Sequence, residues 1–139
     1  MSVSLTGHCL CGAMRYRVHG EPLATGICHC DDCQRQSGAP FSLNVLVELD
    51  HLVLEGDTLK TVETTGTETG EKRERQFCGA CGSPLVTLLA EEPEIAVIKA
   101  GTLDDRTTLA PEMEVWCDRR HPWLDEDNER GCFPTGLPL

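Results

Sequence analysis

The stretch "FCGACGSPL", residues 77–85, places Cys78 and Cys81 in a Cys-x-x-Cys pair with a glycine after each cysteine. This spacing is typical of a zinc knuckle, in which glycine lets the backbone turn close to the sulfur atoms. A redox pair of the thioredoxin type would open a helix, whereas Gly82, Ser83 and Pro84 indicate a turn that enters a strand. We therefore interpret the pair as half of a structural zinc site.

A second pair, Cys9 and Cys11 in "HCLCG" at residues 8–12, can supply the other half. Two short pairs together provide the four thiolates of a closed, tetrahedral zinc site. The sequence thus predicts one structural zinc held by Cys9, Cys11, Cys78 and Cys81. Such a metal would connect the N-terminal strand to the second half of the chain, and its removal should unfold the protein.

Three further cysteines, Cys28, Cys30 and Cys33, lie in "GICHCDDCQRQSG" at residues 26–38. A catalytic zinc keeps three protein ligands and leaves its fourth position to water or substrate, so we predict an open, catalytic zinc here. The alternative is a closed site whose fourth ligand comes from one of His8, His29, His121, Cys117 or Cys132. Neighbouring side chains of an extended Cys-His-Cys run point to opposite faces, which makes His29 a weaker ligand candidate.

The chemistry of this second site favours a thiol as substrate. A zinc that carries three thiolate donors is a poor Lewis acid for activating water, but it can hold an incoming thiol as the nucleophilic thiolate. We name His29, Arg35 and Ser37 as candidate substrate contacts. Arg35 could orient a substrate carboxylate, or it could be an ordinary surface arginine.

Length and charge restrict the class of protein. A chain of 139 residues fits a single domain, 1–139, and a net charge of −11 with only twelve Lys and Arg argues against nucleic acid and anionic membranes as partners. We find no export signal and no apolar run of about 20 residues. We therefore expect a cytoplasmic protein, in which those of the nine cysteines that lie at short spacings serve as metal ligands or redox groups before disulfides. A homo-oligomer remains possible.

Strand signals dominate the rest of the chain. Alternating or β-branched runs predict strands at 13–18, 41–49, 83–90, 94–101 and 113–118. The polar stretch 62–75 predicts an exposed hairpin with its tip near 66–70 and a solvated charged face. One helical turn is expected at 31–36, capped by Asp31. The chain is predicted to be mostly β.

Several segments together resemble the family of glutathione-dependent formaldehyde-activating enzymes, which includes the centromere protein V domain. They are "GHCLCGAMRY" (7–16), "CHCDDCQRQSGAPF" (28–41), "FCGACGSPL" (77–85), "IKAGTLDD" (98–105) and "EVWCDRRHPWL" (114–124). The resemblance implies a small, zinc-stapled, complex β fold of the Mss4-like type with two Zn²⁺. It also implies that Cys9, Cys11, Cys78 and Cys81 form the structural set and that Cys28, Cys30 and Cys33 form the catalytic set.

The same resemblance implies a carbon–sulfur lyase that joins the glutathione thiol to formaldehyde as S-hydroxymethylglutathione. Two alternatives stay open: a binding module with two structural zincs and no catalysis, or a zinc enzyme of this fold with another small-molecule substrate. In the C-terminal segment, Trp116 and Trp123 either line a pocket or, more plainly, anchor the core. Cys117 is expected to be a small buried residue, and Cys132 an exposed thiol.

Overall fold

The computed structural model describes residues 1–125 and 129–136. The strands in this part are β1 (Val3–His8), β2 (Arg15–His19), β3 (Ala24–Cys28), β4 (Ser42–Glu48), β5 (Leu52–Glu55), β6 (Leu59–Thr65), β7 (Lys72–Cys78), β8 (Pro84–Leu89), β9 (Glu92–Lys99), β10 (Met113–Val115) and β11 (Gly131–Cys132). The α-helix α1 spans Asp31–Ser37, and short 3₁₀ turns cover Leu49–His51, Ala100–Thr102 and Cys117–Arg119. The mostly β class predicted from the sequence is confirmed.

The strands form two sheets. A small antiparallel sheet has the order β1-β2-β5, and a large sheet has the order β11-β10-β3-β4-β9-β8-β7-β6. The large sheet is antiparallel except where β10 runs parallel to β3 and to β11. This arrangement brings β10 beside β3, which leads into the Cys28–Cys33 segment, and places β11 on the other side of β10.

Alternation along the central strands gives the large sheet two different faces. One face carries apolar side chains such as Val45, Val47 and Ile98, which pack with Tyr16 and Val18 of the small sheet into the hydrophobic core. On the opposite face, the intervening residues of the same strands line a cavity. Because side chains in a strand alternate between faces, a single sheet can serve both the core and the cavity.

The predicted elements are present with small boundary changes. All five predicted strand segments contain a strand, and the hairpin of β6 and β7 turns within 66–71, as expected. The helix also lies where it was predicted, but Cys30 rather than Asp31 is its N-cap, since the Cys30 Sγ accepts a hydrogen bond from the Cys33 amide. Within the described residues, no helix has the length and apolar character needed to cross a membrane.

Candidate functional site

The first cysteine cluster joins the two sheets. Cys9 and Cys11 follow β1, and Cys78 ends β7, and the sulfur atoms of these three residues and Cys81 all lie within 4.8 Å of one another. The Cys9–Cys11 and Cys11–Cys78 sulfur separations are 3.6 and 3.8 Å. With Zn–S bonds of 2.3 Å, a tetrahedral site has sulfur–sulfur edges of about 3.8 Å. The geometry of the four thiols therefore fits a zinc ion.

The turns around this cluster donate hydrogen bonds to its sulfur atoms. The Ser83 hydroxyl, 3.2 Å from Cys81 Sγ, lowers the pKa of Cys81 to about 5. Thr58 Oγ1 lies 3.3 Å from Cys78 Sγ and lowers the pKa of that thiol. Donors of this kind favour the thiolate, which is the form that binds a metal.

Glycine permits both turns of this cluster. Gly12 and Gly82 have φ angles of 81° and 82°, in the left-handed region. A side chain there would be strained, so both turns favour glycine.

The second cluster lies where β3 passes into α1. Cys28 is the last residue of β3, Cys30 caps α1, and Cys33 lies in the first turn, with the three sulfur atoms within 4.8 Å of one another. Hydrogen bonds from Cys28 and Cys30 lower the pKa of Cys33 to about 3, and the charges of Lys99 and Arg75 act in the same direction against desolvation. These three sulfurs fit three corners of a zinc tetrahedron.

All three cysteines of this second cluster line a cavity of about 460 Å³. Its floor is the non-core face of the large sheet, with side chains that include Asn44, Leu46, Arg75, Thr87, Val97 and Lys99. The volume falls in the range of roughly 300–1,000 Å³ that is usual for small-molecule sites.

The tip of the β6–β7 hairpin forms the opposite wall of the cavity and is fastened to α1. The Thr67 amide and hydroxyl donate to the Asp32 carboxylate at 2.9 and 2.6 Å. Arg119 bridges the two elements, because its guanidinium donates to Asp31 at 3.0 Å and to Glu68 at 2.5 Å. These contacts keep the hairpin tip over the cysteine cluster.

The structure places the candidate fourth ligands elsewhere. His29 Nε2 faces Glu114 Oε1 at 2.7 Å, and His121 Nε2 faces Gln34 Oε1 at the same distance. His8 lies near Asp104, with its Nε2 3.4 Å from the carboxylate. The remaining candidates, Cys117 and Cys132, are bonded to each other. The second cluster is therefore a group of three ligand residues within the described part of the chain.

The three candidate substrate contacts lie outside the described lining of the cavity. His29 is buried behind the cluster against Glu114, and Arg35 is exposed on α1. Ser37 Oγ donates to the Cys33 carbonyl at 2.7 Å, within the helix. Their role in substrate binding stays a prediction.

The C-terminal segment corrects two expectations. Cys117 and Cys132 form a disulfide, because the parallel pairing of β10 with β11 brings them together, so neither is a free thiol. Trp123 is 65% exposed and does not anchor the core. Trp116 lines the cavity, which agrees with the pocket interpretation and not with the core-anchor interpretation, and has a φ of 57°, which is unusual for a bulky residue.

The sequence interpretation missed three polar residues of the cavity floor. Arg75 was assigned to a solvated face but is buried, and Thr87 and Lys99 are buried beside it on neighbouring strands. A signal was available for Lys99, which is a lone cation within the apolar run 94–101. For Arg75 and Thr87 the sequence offers no comparable signal, because only strand pairing places them together.

These observations define a small β protein with two cysteine clusters that could hold metal ions, one of them on a cavity of small-molecule size. Residues 4–119 match the family described as "Glutathione-dependent formaldehyde-activating enzyme". A Halomonas elongata protein with the name "Putative glutathione-dependent formaldehyde-activating enzyme" is 30% identical over 143 residues, covering 96% of this chain and 88% of that protein. The chain belongs to the glutathione-dependent formaldehyde-activating enzyme family.

A solved structure supports the fold. The crystal structure of a Rhodobacter sphaeroides protein superposes with a TM-score of 0.59 at 23% sequence identity. The match covers 74% of this chain and 91% of that one.

Proposed function

We propose that this protein is a zinc-dependent carbon–sulfur lyase that adds a small thiol, in the first instance glutathione, to formaldehyde or a related small electrophile. In this proposal Cys28, Cys30 and Cys33 hold the catalytic zinc, and the four-cysteine cluster holds a structural one. The supporting observation is that three convergent thiols face a cavity while the other candidate ligands are occupied elsewhere. Residues 1–139 act as one domain in this proposal.

Zinc bound to three thiolates would keep an incoming thiol in its nucleophilic, thiolate form. The chain's own residues hold the cysteines in place for this role. The Cys33 amide donates to Cys30 Sγ at 3.3 Å, and Gln34 Nε2 donates to the His29 carbonyl at 2.8 Å. The loop from β3 to α1 is thus tied to the helix at two points, which fixes the spacing of the sulfur atoms.

The proposed reaction needs no oxidant or reductant. The thiol sulfur forms a bond to the carbonyl carbon, the π electrons of the C=O bond move to oxygen, and the thiol proton ends on that oxygen. The hairpin tip and α1 together form one wall of the cavity beside the cysteines. Arg119, which bridges Asp31 and Glu68, ties these two parts of the wall together.

Calorimetry with glutathione tests the proposal on three preparations: zinc-loaded protein, metal-free protein and the zinc-loaded Cys30→Ser variant. We expect zinc-dependent heat for the wild type and its loss in the variant. S-methylglutathione is the matched ligand control, because it lacks a free thiol. In cobalt-substituted protein, glutathione should perturb the thiolate-to-cobalt charge-transfer band and S-methylglutathione should not.

The outcomes separate the proposal from its alternatives. Absence of zinc-dependent heat together with an unchanged cobalt band would contradict thiol binding at the metal. Indifference of the cobalt spectrum to every small thiol would instead favour a binding module with two structural metals. A band that responds to other thiols but not to glutathione would indicate an enzyme of the same fold with a different substrate.

A further inference from the structure

Arg75 is a buried cation with unused hydrogen-bonding capacity. It lies on β7, is 8% exposed and lines the cavity. Within the described residues, the one side-chain hydrogen bond of Arg75 runs from Nε to Thr64 Oγ1 at 3.0 Å, and no carboxylate lies within ion-pair distance. A guanidinium carries five N–H donors, and buried arginines are usually paired. The two terminal nitrogens of Arg75 therefore remain available to a ligand.

Thr87 presents a second unsatisfied group at the same place. It is 4% exposed, lines the cavity, and its buried Oγ1 has no hydrogen-bond partner in the described part of the chain. The register of β7 and β8 sets Thr87 directly opposite Arg75. Directly opposite residues on one face have Cβ atoms about 5 Å apart, so both can contact one small group.

The other cations around the cavity already have partners. Arg73 pairs with Glu91 at 2.6 Å, and Arg119 pairs with Asp31 and Glu68. Lys99 donates to Ser42 Oγ at 3.0 Å and to Asn44 Oδ1 at 3.4 Å. Of the two arginines that line the cavity, Arg75 is the one without a carboxylate partner among the described residues, although its charge, like that of Lys99, acts on the Cys33 thiol.

The sheet order sets the separation between this pair and the cysteines. Cys28 is on β3, and Thr87 is on β8, three strands away through β4 and β9. Three strand spacings of about 4.8 Å give roughly 14 Å between the two backbones, and side chains stand roughly perpendicular to the sheet. A ligand that reaches both must carry its two functional groups several bonds apart.

We infer that Arg75 and Thr87 form a carboxylate subsite, and that the cavity selects thiols bearing a carboxylate several bonds from the sulfur. The guanidinium can bind both oxygens of a carboxylate, and the threonine hydroxyl can donate to one of them. The inference relies on the proposed function for the position of the thiol, but anion binding at Arg75 does not depend on catalysis.

The test compares zinc-loaded wild type with Arg75→Gln and Thr87→Val by calorimetry, using glutathione, S-methylglutathione and glutathione diethyl ester. We expect Arg75→Gln to weaken binding of glutathione and of S-methylglutathione alike, by about tenfold or more. Thr87→Val should weaken both by about fivefold. Binding of the diethyl ester, which has no carboxylate, should be unchanged in either variant, and Arg75→Lys should recover part of the affinity.

A double variant, Lys72→Gln with Glu63→Gln, is the matched control, since it removes an exposed ion pair of the same hairpin, outside the cavity lining, without changing the net charge. It should bind all three ligands like the wild type. Equal affinity of wild type and Arg75→Gln for glutathione, or no binding of S-methylglutathione to the wild type, would overturn the inference. S-methylglutathione binding that depends on Arg75, with a cobalt band indifferent to glutathione, would overturn only the proposed thiol chemistry.

Discussion

The exposed position of Cys11 allows a clean test of the four-cysteine cluster. The cysteine is exposed, so replacing it with serine removes one sulfur and little packing. Without a metal, such a surface change would leave stability almost unaltered. With a metal, Cys11→Ser removes one corner of a tetrahedron that joins the small sheet to the end of β7.

The expected magnitude follows from the number of ligands. Apparent binding of structural zinc is worth about 10–16 kcal/mol in small domains, and equal sharing assigns each of four ligands a quarter of that total. For a chain of this size, loss of a quarter of this binding free energy should lower the melting temperature by roughly 10 °C. We therefore expect Cys11→Ser to melt lower than the wild type by about this amount and to lose bound zinc.

Thermal unfolding followed by circular dichroism, with zinc content measured on the same samples, is the assay. Leu10→Ser is the matched control, because Leu10 is the neighbouring residue and is 85% exposed. It should unfold within about 2 °C of the wild type. If Cys11→Ser has the same melting temperature and zinc content as the wild type and Leu10→Ser, the four-cysteine cluster does not hold a structural metal.

Two further predictions concern the C-terminal strands. Glu114 accepts hydrogen bonds from the His29 imidazole at 2.7 Å and from Arg130 at 3.2 Å, so Glu114→Gln should cost about 2–3 kcal/mol at neutral pH. Desolvation opposes these bonds, but they lower the pKa of Glu114. The stabilisation is therefore complete above the unfolded pKa of about 4.3 and is lost as the pH falls through the lower folded value. The urea midpoints of the wild type and of Glu114→Gln are compared at each pH, so that metal loss common to both proteins cancels. The two midpoints should converge in acid, and a difference that stays constant with pH would contradict this role of Glu114. Replacing Cys117 and Cys132 with serine opens a disulfide across 15 residues and should cost about 3 kcal/mol under non-reducing conditions. Reductant should bring the wild type to the level of this variant, and equal stability before reduction would count against the bond.

Local patterns in the sequence predicted many of the strands and the hairpin. Period-two alternation predicted the central strands, and the polar stretch between 62 and 75 predicted the hairpin whose tip lines the cavity. The three cysteines of 28–33 and each of the two cysteine pairs were also visible, because residues two or three apart on a tight turn converge locally. The meeting of the two pairs in one cluster depends on the tertiary structure, because Cys11 and Cys78 are 67 positions apart. The C-terminal strands were less accessible, since the bond between Cys117 and Cys132 depends on parallel pairing of two short strands.

By itself, then, the sequence determined the mostly β class and the two sets of metal-ligand candidates. Only the tertiary structure decided what surrounds them: that His29 faces Glu114, 85 positions away, and that Arg75 and Thr87 meet on a cavity floor. The physical reason is range. The convergence of neighbouring cysteines depends on a few backbone angles, whereas the cavity depends on the register and order of strands that are distant in the chain.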